Sequence, residues 1–248
     1  CFIKAKGDMG MYDYHIILDF EMNPVDKKNN EVYKLLRNEI IEMGAVKVSS
    51  EGKIVDKFSC MIKPEYNRKV VNYITRLTGI KTIDLTDGKS FSEAVDDLKR
   101  WIGDGKIRVY SWSDSDLIQL KAECMYKEIE FPQIMNDWQD FQITYPEIMG
   151  IKGEKALMSL EKAAEWYGVS VDKKKVHRAL YDAQITTELV IPVLTGEYEK
   201  QRLLIKKYSV KNKNEEIRLS SSLSELCSNI FNENITDQGY STRLEKYA

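Results

Sequence analysis

Asp19 and Glu21 are separated by one residue in Leu18-Asp19-Phe20-Glu21, at the end of the apolar run Tyr14–Phe20. Alternate side chains of a strand point the same way, so this spacing sets both carboxylates on one face and Phe20 on the other. Two neighbouring carboxylates raise each other's pKa unless a cation comes between them. Hard Mg²⁺ or Mn²⁺, which prefers oxygen ligands, suits that role. Further along, Asp114 and Asp116 follow a second β-rich run, and His177 precedes Asp182 with four residues between them. Each of these residues also has an ordinary reading. A strand end carries solvated acids; Asp114 or Asp116 serves as a helix N-cap. Asp182 in a first helical turn complements the helix dipole, and a lone His177 reads as a surface or capping residue.

The elements that must position these groups can be read from pattern. Tyr14–Phe20 is a β-rich strand. Ile40–Val48 and Val55–Ile62 are two more, joined across Ser50-Glu51-Gly52, whose turn chemistry predicts a hairpin. Ser90 and Glu93 form a capping box, followed by Phe91, Ala94, Val95, Leu98, Trp101 and Ile102 at helical spacing. A strand at Ile107–Trp112, a helix from about Asp116 to Tyr126 and a short strand at Gln133–Trp138 come next. Ser159 caps a helix carrying Leu160, Ala163, Ala164 and Tyr167, with Gly168 as its stop. A last long helix covers Arg178–Leu194 and ends before Gly196. Three strands followed by alternating helices and strands predict an α/β fold, a mixed sheet covered by helices.

Three regions follow: an N-terminal tail or processing remnant over 1–12, a catalytic domain over 13–196, and an extension over 197–248. In the extension Glu197–Tyr208 reads as a charged helix and Leu219–Phe231 as an amphipathic one.

With 43% hydrophobic residues in 248, the chain can bury one sizeable core. No apolar run reaches membrane-spanning length, and the N-terminus lacks a secretory pattern. Cys1, Cys60, Cys124 and Cys227 lie far apart, which predicts free thiols in a reduced, cytoplasmic protein rather than disulfides or zinc. A net charge of −2 argues against a broad non-specific nucleic-acid binder. It leaves room for an enzyme that grips one strand end.

Taken together, these passages resemble the DEDDh exonucleases, a branch of the ribonuclease H-like superfamily. Leu18–Glu21 is followed by Glu39-Ile40-Ile41-Glu42-Met43-Gly44-Ala45, similar to the family's second strand. Leu77-Thr78-Gly79-Ile80, Ser90-Phe91, Ser159-Leu160 and His177-Arg178-Ala179 complete the resemblance over about Asp13 to Leu194. A sister branch carries Tyr four residues before the last Asp; Arg178 stands there, and Tyr181 has the wrong spacing. The family pattern favours Asp116, followed by Leu117, over Asp114.

The resemblance implies a five-stranded mixed sheet flanked by helices, with a helical C-terminal extension. It implies that Asp19, Glu21, Asp116 and Asp182 hold two divalent cations, Mg²⁺ or Mn²⁺, and that His177 activates water. Met22, Leu77 and Thr78 resemble residues around the terminal nucleotide, although Leu77 suits core packing equally well. Trp112 suits base stacking, but a strand-end Trp is more often core. Lys173-Lys174-Lys175 suits a phosphate track or a solvated loop.

Asp-Phe-Glu and Trp-Ser-x-Ser-Asp look most like the Eri-like and KapD-like branch, which implies single-stranded 3′ ends, RNA rather than DNA, as partner. A DNA exonuclease of the proofreading kind is the alternative. A catalytically silent binding module is the rival from another class, against which all five positions are filled. A third reading has residues 197–248 dock a protein partner.

Overall fold

In the computed structural model, which describes residues 11–151 and 157–211, the apolar runs pair into one sheet. Its strands are β1 (Tyr14–Pro24), β2 (Asn38–Ser49), β3 (Ile54–Met61), β4 (Ile107–Ser111) and β5 (Trp138–Asp140). They lie in the order β3-β2-β1-β4-β5. β1, β2 and β3 pair antiparallel, whereas β4 and β5 join parallel to β1, giving the expected mixed sheet. The hairpin closes as its turn residues predict, with Gly52 at φ +80° and Ser49 N–H donating to the Lys53 carbonyl.

The helices are α1 (Asn30–Leu35), α2 (Asn72–Thr78), α3 (Phe91–Ile102), α4 (Ser115–Tyr126), α5 (Phe141–Met149), α6 (Leu160–Tyr167), α7 (Ala179–Thr195) and α8 (Tyr198–Lys211). Alternation along β1 decides what each face meets. Ile16, Leu18 and Phe20 pack with Ala94, Val95 and Leu98 of α3 and Leu120 of α4 in the main core. The opposite face of β1 and β2 carries α7. The capping box of α3 forms as read, Ser90 N–H donating to Glu93 Oε2 at 2.9 Å. Likewise Ser159 caps α6 and Gly168 ends it at φ +85°.

Two readings need correction. Gln133–Trp138 is not a strand: Pro132 starts a 3₁₀ turn over Gln133–Met135, and pairing begins only at Trp138. Pattern also missed α5, although Asp140 accepts from Ile143 N–H at its start and Gly150 closes it in the left-handed region. The short helices α1 and α2 lack side-chain caps and gave no such signal. No described helix is long and apolar enough to cross a membrane. Packing divides the chain between Leu204 and Ile205, within α8. The amphipathic stretch expected at Leu219–Phe231 lies outside the described residues.

Candidate active site

β1 extends to Pro24, so Asp19 and Glu21 lie inside the strand rather than at its end. Asp19 faces Gly44 and Glu21 faces Glu42 across the ladder. The next pair is Met22 with Ile40, which leaves Ile41 as the extra residue of a β-bulge beside the acids. Past that bulge, Asn23 grips the loop before α2. Its amide donates to the Asn67 and Lys69 carbonyls at 3.2 Å, and its oxygen accepts from Val71 N–H at 3.0 Å. Buried Glu39 accepts three more backbone bonds, from Glu65, Tyr66 and Asn67, at 2.7–3.0 Å. The acid pair thus stands between α7 and the segment leading into α2.

Gly44 lets α7 approach the sheet. A Cβ there would lie 2.0 Å from Leu180 N and 2.2 Å from the Ala179 carbonyl carbon. The contact brings the start of α7, with Asp182 and the preceding His177, to the acidic face of β1. Glu42 fixes the same helix end: its carboxylate takes Arg178 Nη2 at 2.7 Å, Nε at 3.1 Å and Ala179 N–H at 3.0 Å. Sequence reasoning missed this anchor, whose one trace was a glutamate within the apolar run Ile40–Val46 of β2.

Asp116 enters from the first turn of α4. It is buried, and Oδ1 accepts from Phe20 N–H at 3.0 Å, so it is held against β1 between the two strand acids. Asp114, the alternative, points to solvent. Asp182 is buried too: Oδ2 accepts from His177 N–H at 3.0 Å, while Oδ1 has no hydrogen-bond partner among the described residues. His177 is half-buried and adopts φ +62°, a region that non-glycine residues seldom occupy. One ring nitrogen and one carboxylate oxygen each from Glu21 and Asp182 lie within 4.8 Å of one another.

The electrostatics of this cluster are those of like charges short of a counterion. Burial, then the neighbouring acids, holds Asp19 well above the usual carboxylate range and pushes Glu21 up to about 8. Burial also raises Asp116 to about 7 and Asp182 to about 6, against backbone hydrogen bonds that lower both. Arg178 offsets Glu21 only in part, since its guanidinium is committed to Glu42. Four converging carboxylates and an orphaned buried oxygen fit hard divalent cations. Burial lowers His177 below the ordinary histidine value, with Glu161 opposing, which favours its neutral ring.

The other predicted residues separate. Met22 is half-buried at the bulge, and Leu77 is 48% exposed on α2, which removes the core reading for it. Thr78 is buried with its hydroxyl engaged, donating to the Ile74 carbonyl and accepting from Ile80 N–H. Trp112 is not available for base stacking. Its indole N–H donates to the Met158 carbonyl at 3.0 Å and its ring packs on Phe141 and Tyr145. Lys173, Lys174 and Lys175 lie in an exposed turn.

Comparison with known proteins identifies the family of the chain. Residues 16–190 match the family described as RNase_T, Exonuclease. The chain is 29% identical over 188 residues to "Probable 3′-5′ exonuclease KapD" of Bacillus subtilis (strain 168), covering 76% of this chain and 86% of that one. ERI1 exoribonuclease 2 of Xenopus laevis is 28% identical over 158 residues, but the match spans only 22% of its length and 54% of this chain. DNA polymerase III subunit epsilon of Aquifex aeolicus (strain VF5) is 28% identical over 182 residues, 72% of this chain and 79% of that one. Among solved structures, the nuclease domain of 3′hExo, a DEDDh family member bound to rAMP, has the same fold. Its TM-score is 0.64 at 21% identity, covering 75% of this chain and 93% of that one. The chain belongs to the RNase_T exonuclease family and is a 3′→5′ exonuclease of the DEDDh type.

Proposed function

We propose that the protein hydrolyses the 3′-terminal phosphodiester of single-stranded RNA by a two-metal mechanism and releases nucleoside 5′-monophosphates. The convergence of Asp19, Glu21, Asp116 and Asp182 beside His177 carries this reading. Bound Mg²⁺ or Mn²⁺ would neutralise charge developing on the phosphate and the leaving 3′ oxygen. The four acids would hold these ions. His177, whose neutral form burial favours, takes the proton of the attacking water. Its left-handed backbone, tied to Asp182 Oδ2, aims the ring across the acids. Met22 and exposed Leu77 flank the terminal nucleotide; Thr78 supports Leu77 from below.

RNA is favoured by the likeness to ERI1 exoribonuclease 2. The likeness to a DNA polymerase III subunit epsilon supports DNA as the second reading. The domain boundary after Gly196 and a cytoplasmic location belong to the same proposal; Cys60 and Cys124 are free, buried thiols. Matched 5′-labelled RNA and DNA oligonucleotides, with Mg²⁺, Mn²⁺ or EDTA, test it. A metal-dependent ladder shortening from the 3′ end, faster on RNA and absent in Asp19→Ala, is expected. Faster shortening of DNA selects the second reading, and no shortening of either polymer overturns both.

A further inference from the structure

Charge is unevenly spread along this chain. Residues 26–37, which carry α1, hold four Lys or Arg against two acids, and residues 63–81, which carry α2, hold five against one. These two stretches therefore have nine basic residues against three acidic, within a chain whose net charge is −2. The fold puts them side by side. Val32 of α1 and Leu36 just after it share an apolar cluster with Tyr66, and Asn67 donates to the Pro24 carbonyl at 2.7 Å. Asn23 bolts the second stretch to β1 two residues beyond Glu21.

Aromatic rings stand among these charges. The Arg37 guanidinium lies 4.2 Å over the Tyr33 ring, with Lys27 Nζ at 6.0 Å. On α2, Ile74 and Thr78 face inward, which turns Tyr73, Arg76 and Leu77 outward as one stripe at i, i+3 and i+4. Tyr73 is 51% exposed. Burial and then the nearby Tyr33 phenol push its hydroxyl up, which places the two rings in one neighbourhood. The stripe ends at Leu77, beside the place where the terminal nucleotide would rest.

We propose that this surface, Tyr73 and Arg76 on α2 with Lys69 before it and the Tyr33–Arg37 stack beyond, binds the nucleotides upstream of the 3′ end of a single nucleic-acid strand. Aromatic faces stack bases without regard to sequence, and the cations follow the phosphates. The two stretches, with their nine cations against three acids and with Tyr33 and Tyr73, lie beside an acidic site that by itself repels phosphate. The surface supplies the attraction that the carboxylates deny. This inference rests on the exonuclease reading for its strand polarity.

The test is binding of 5′-labelled oligonucleotides to the full chain by fluorescence anisotropy, with Ca²⁺ replacing Mg²⁺ to slow turnover. Tyr73→Ala is expected to weaken a dodecanucleotide about 10-fold while Tyr73→Phe retains it, as loss of one stacking platform predicts. Lys69→Glu with Arg76→Glu should lower the slope of log affinity against log salt by about 1.4, roughly 0.7 for each lost phosphate contact. A nucleoside 5′-monophosphate, measured by competition and confined to the terminal position, should bind all variants equally. Lys53→Glu with Lys57→Glu, at the far hairpin, should leave dodecanucleotide binding unchanged. Equal weakening of both ligands, an equal effect of the hairpin pair, or no effect at Tyr73 and Arg76 overturns the inference. A chain that binds the dodecanucleotide through these residues yet never shortens it overturns the exonuclease reading and leaves this surface standing.

Discussion

His177 holds a backbone angle that costs about 1–2 kcal/mol for a residue with a Cβ, and its surroundings compensate. Its N–H is bonded to Asp182, and the next two residues are tied to Glu42. If the ring is the base, His177→Ala lowers kcat by about 10²–10⁴-fold while calorimetric Mn²⁺ binding persists. Loss of Mn²⁺ binding instead would make His177 a ligand, a role open to it because its ring nitrogen lies with the Glu21 and Asp182 oxygens. Asp182→Asn should have two opposite effects. It keeps an oxygen to accept from His177 N–H but removes one of the crowded charges. Metal binding and turnover are lost, whereas the metal-free fold gains about 1 kcal/mol at pH 8, measurable by urea denaturation in EDTA.

At the scale of elements, the distance between α7 and β2 decides whether the site exists. Gly44 has no room for a Cβ, because the obstructing atoms are backbone. Gly44→Ala must therefore move α7, which costs about 1–3 kcal/mol as an overpacked contact. A displacement near 1 Å lowers turnover about 10²-fold. A thermal melt together with kcat measures both; full activity in a stable variant would contradict the geometry. Glu42→Gln loosens the same helix end without adding bulk. Arg178 is 45% exposed, so the ion pair contributes only about 1 kcal/mol. The larger expected effect is on kcat, since Arg178 and Ala179 directly follow His177.

For the whole molecule, the four clustered acids, of which Glu21, Asp116 and Asp182 are buried, shape how stability follows pH. Their folded pKa values lie above those of the unfolded chain, where acids titrate near 4. The folded state thus binds protons more tightly, and the associated stability is present in full below about pH 4. It is lost as pH rises through the folded values, about 6 for Asp182, 7 for Asp116 and 8 for Glu21. In EDTA, Tm should fall between about pH 5 and pH 8. Mn²⁺ or Mg²⁺ should flatten that fall by replacing protons with metal. A metal-free Tm that holds steady or rises over this range would mean the acids are relieved by something other than a cation.

Strands β1 to β4, the hairpin and the capped helices α3 and α6 were legible in the sequence, because period, turn chemistry and capping are local. So was the pairing of Asp19 with Glu21 on one face, which follows from alternation alone. Family likeness extended this to Asp116, Asp182 and His177, residues that no local rule could connect. Tertiary structure decided the rest. It turned Asp116 rather than Asp114 toward β1, packed Trp112 into the core and left Leu77 in solvent. It also revealed that Glu42 and Gly44 set α7 in place. The division has a physical cause: local pattern states which way a side chain points from its own backbone. What it points at depends on a second element, over a hundred residues distant between β2 and α7, whose approach is set by packing and not by either segment alone.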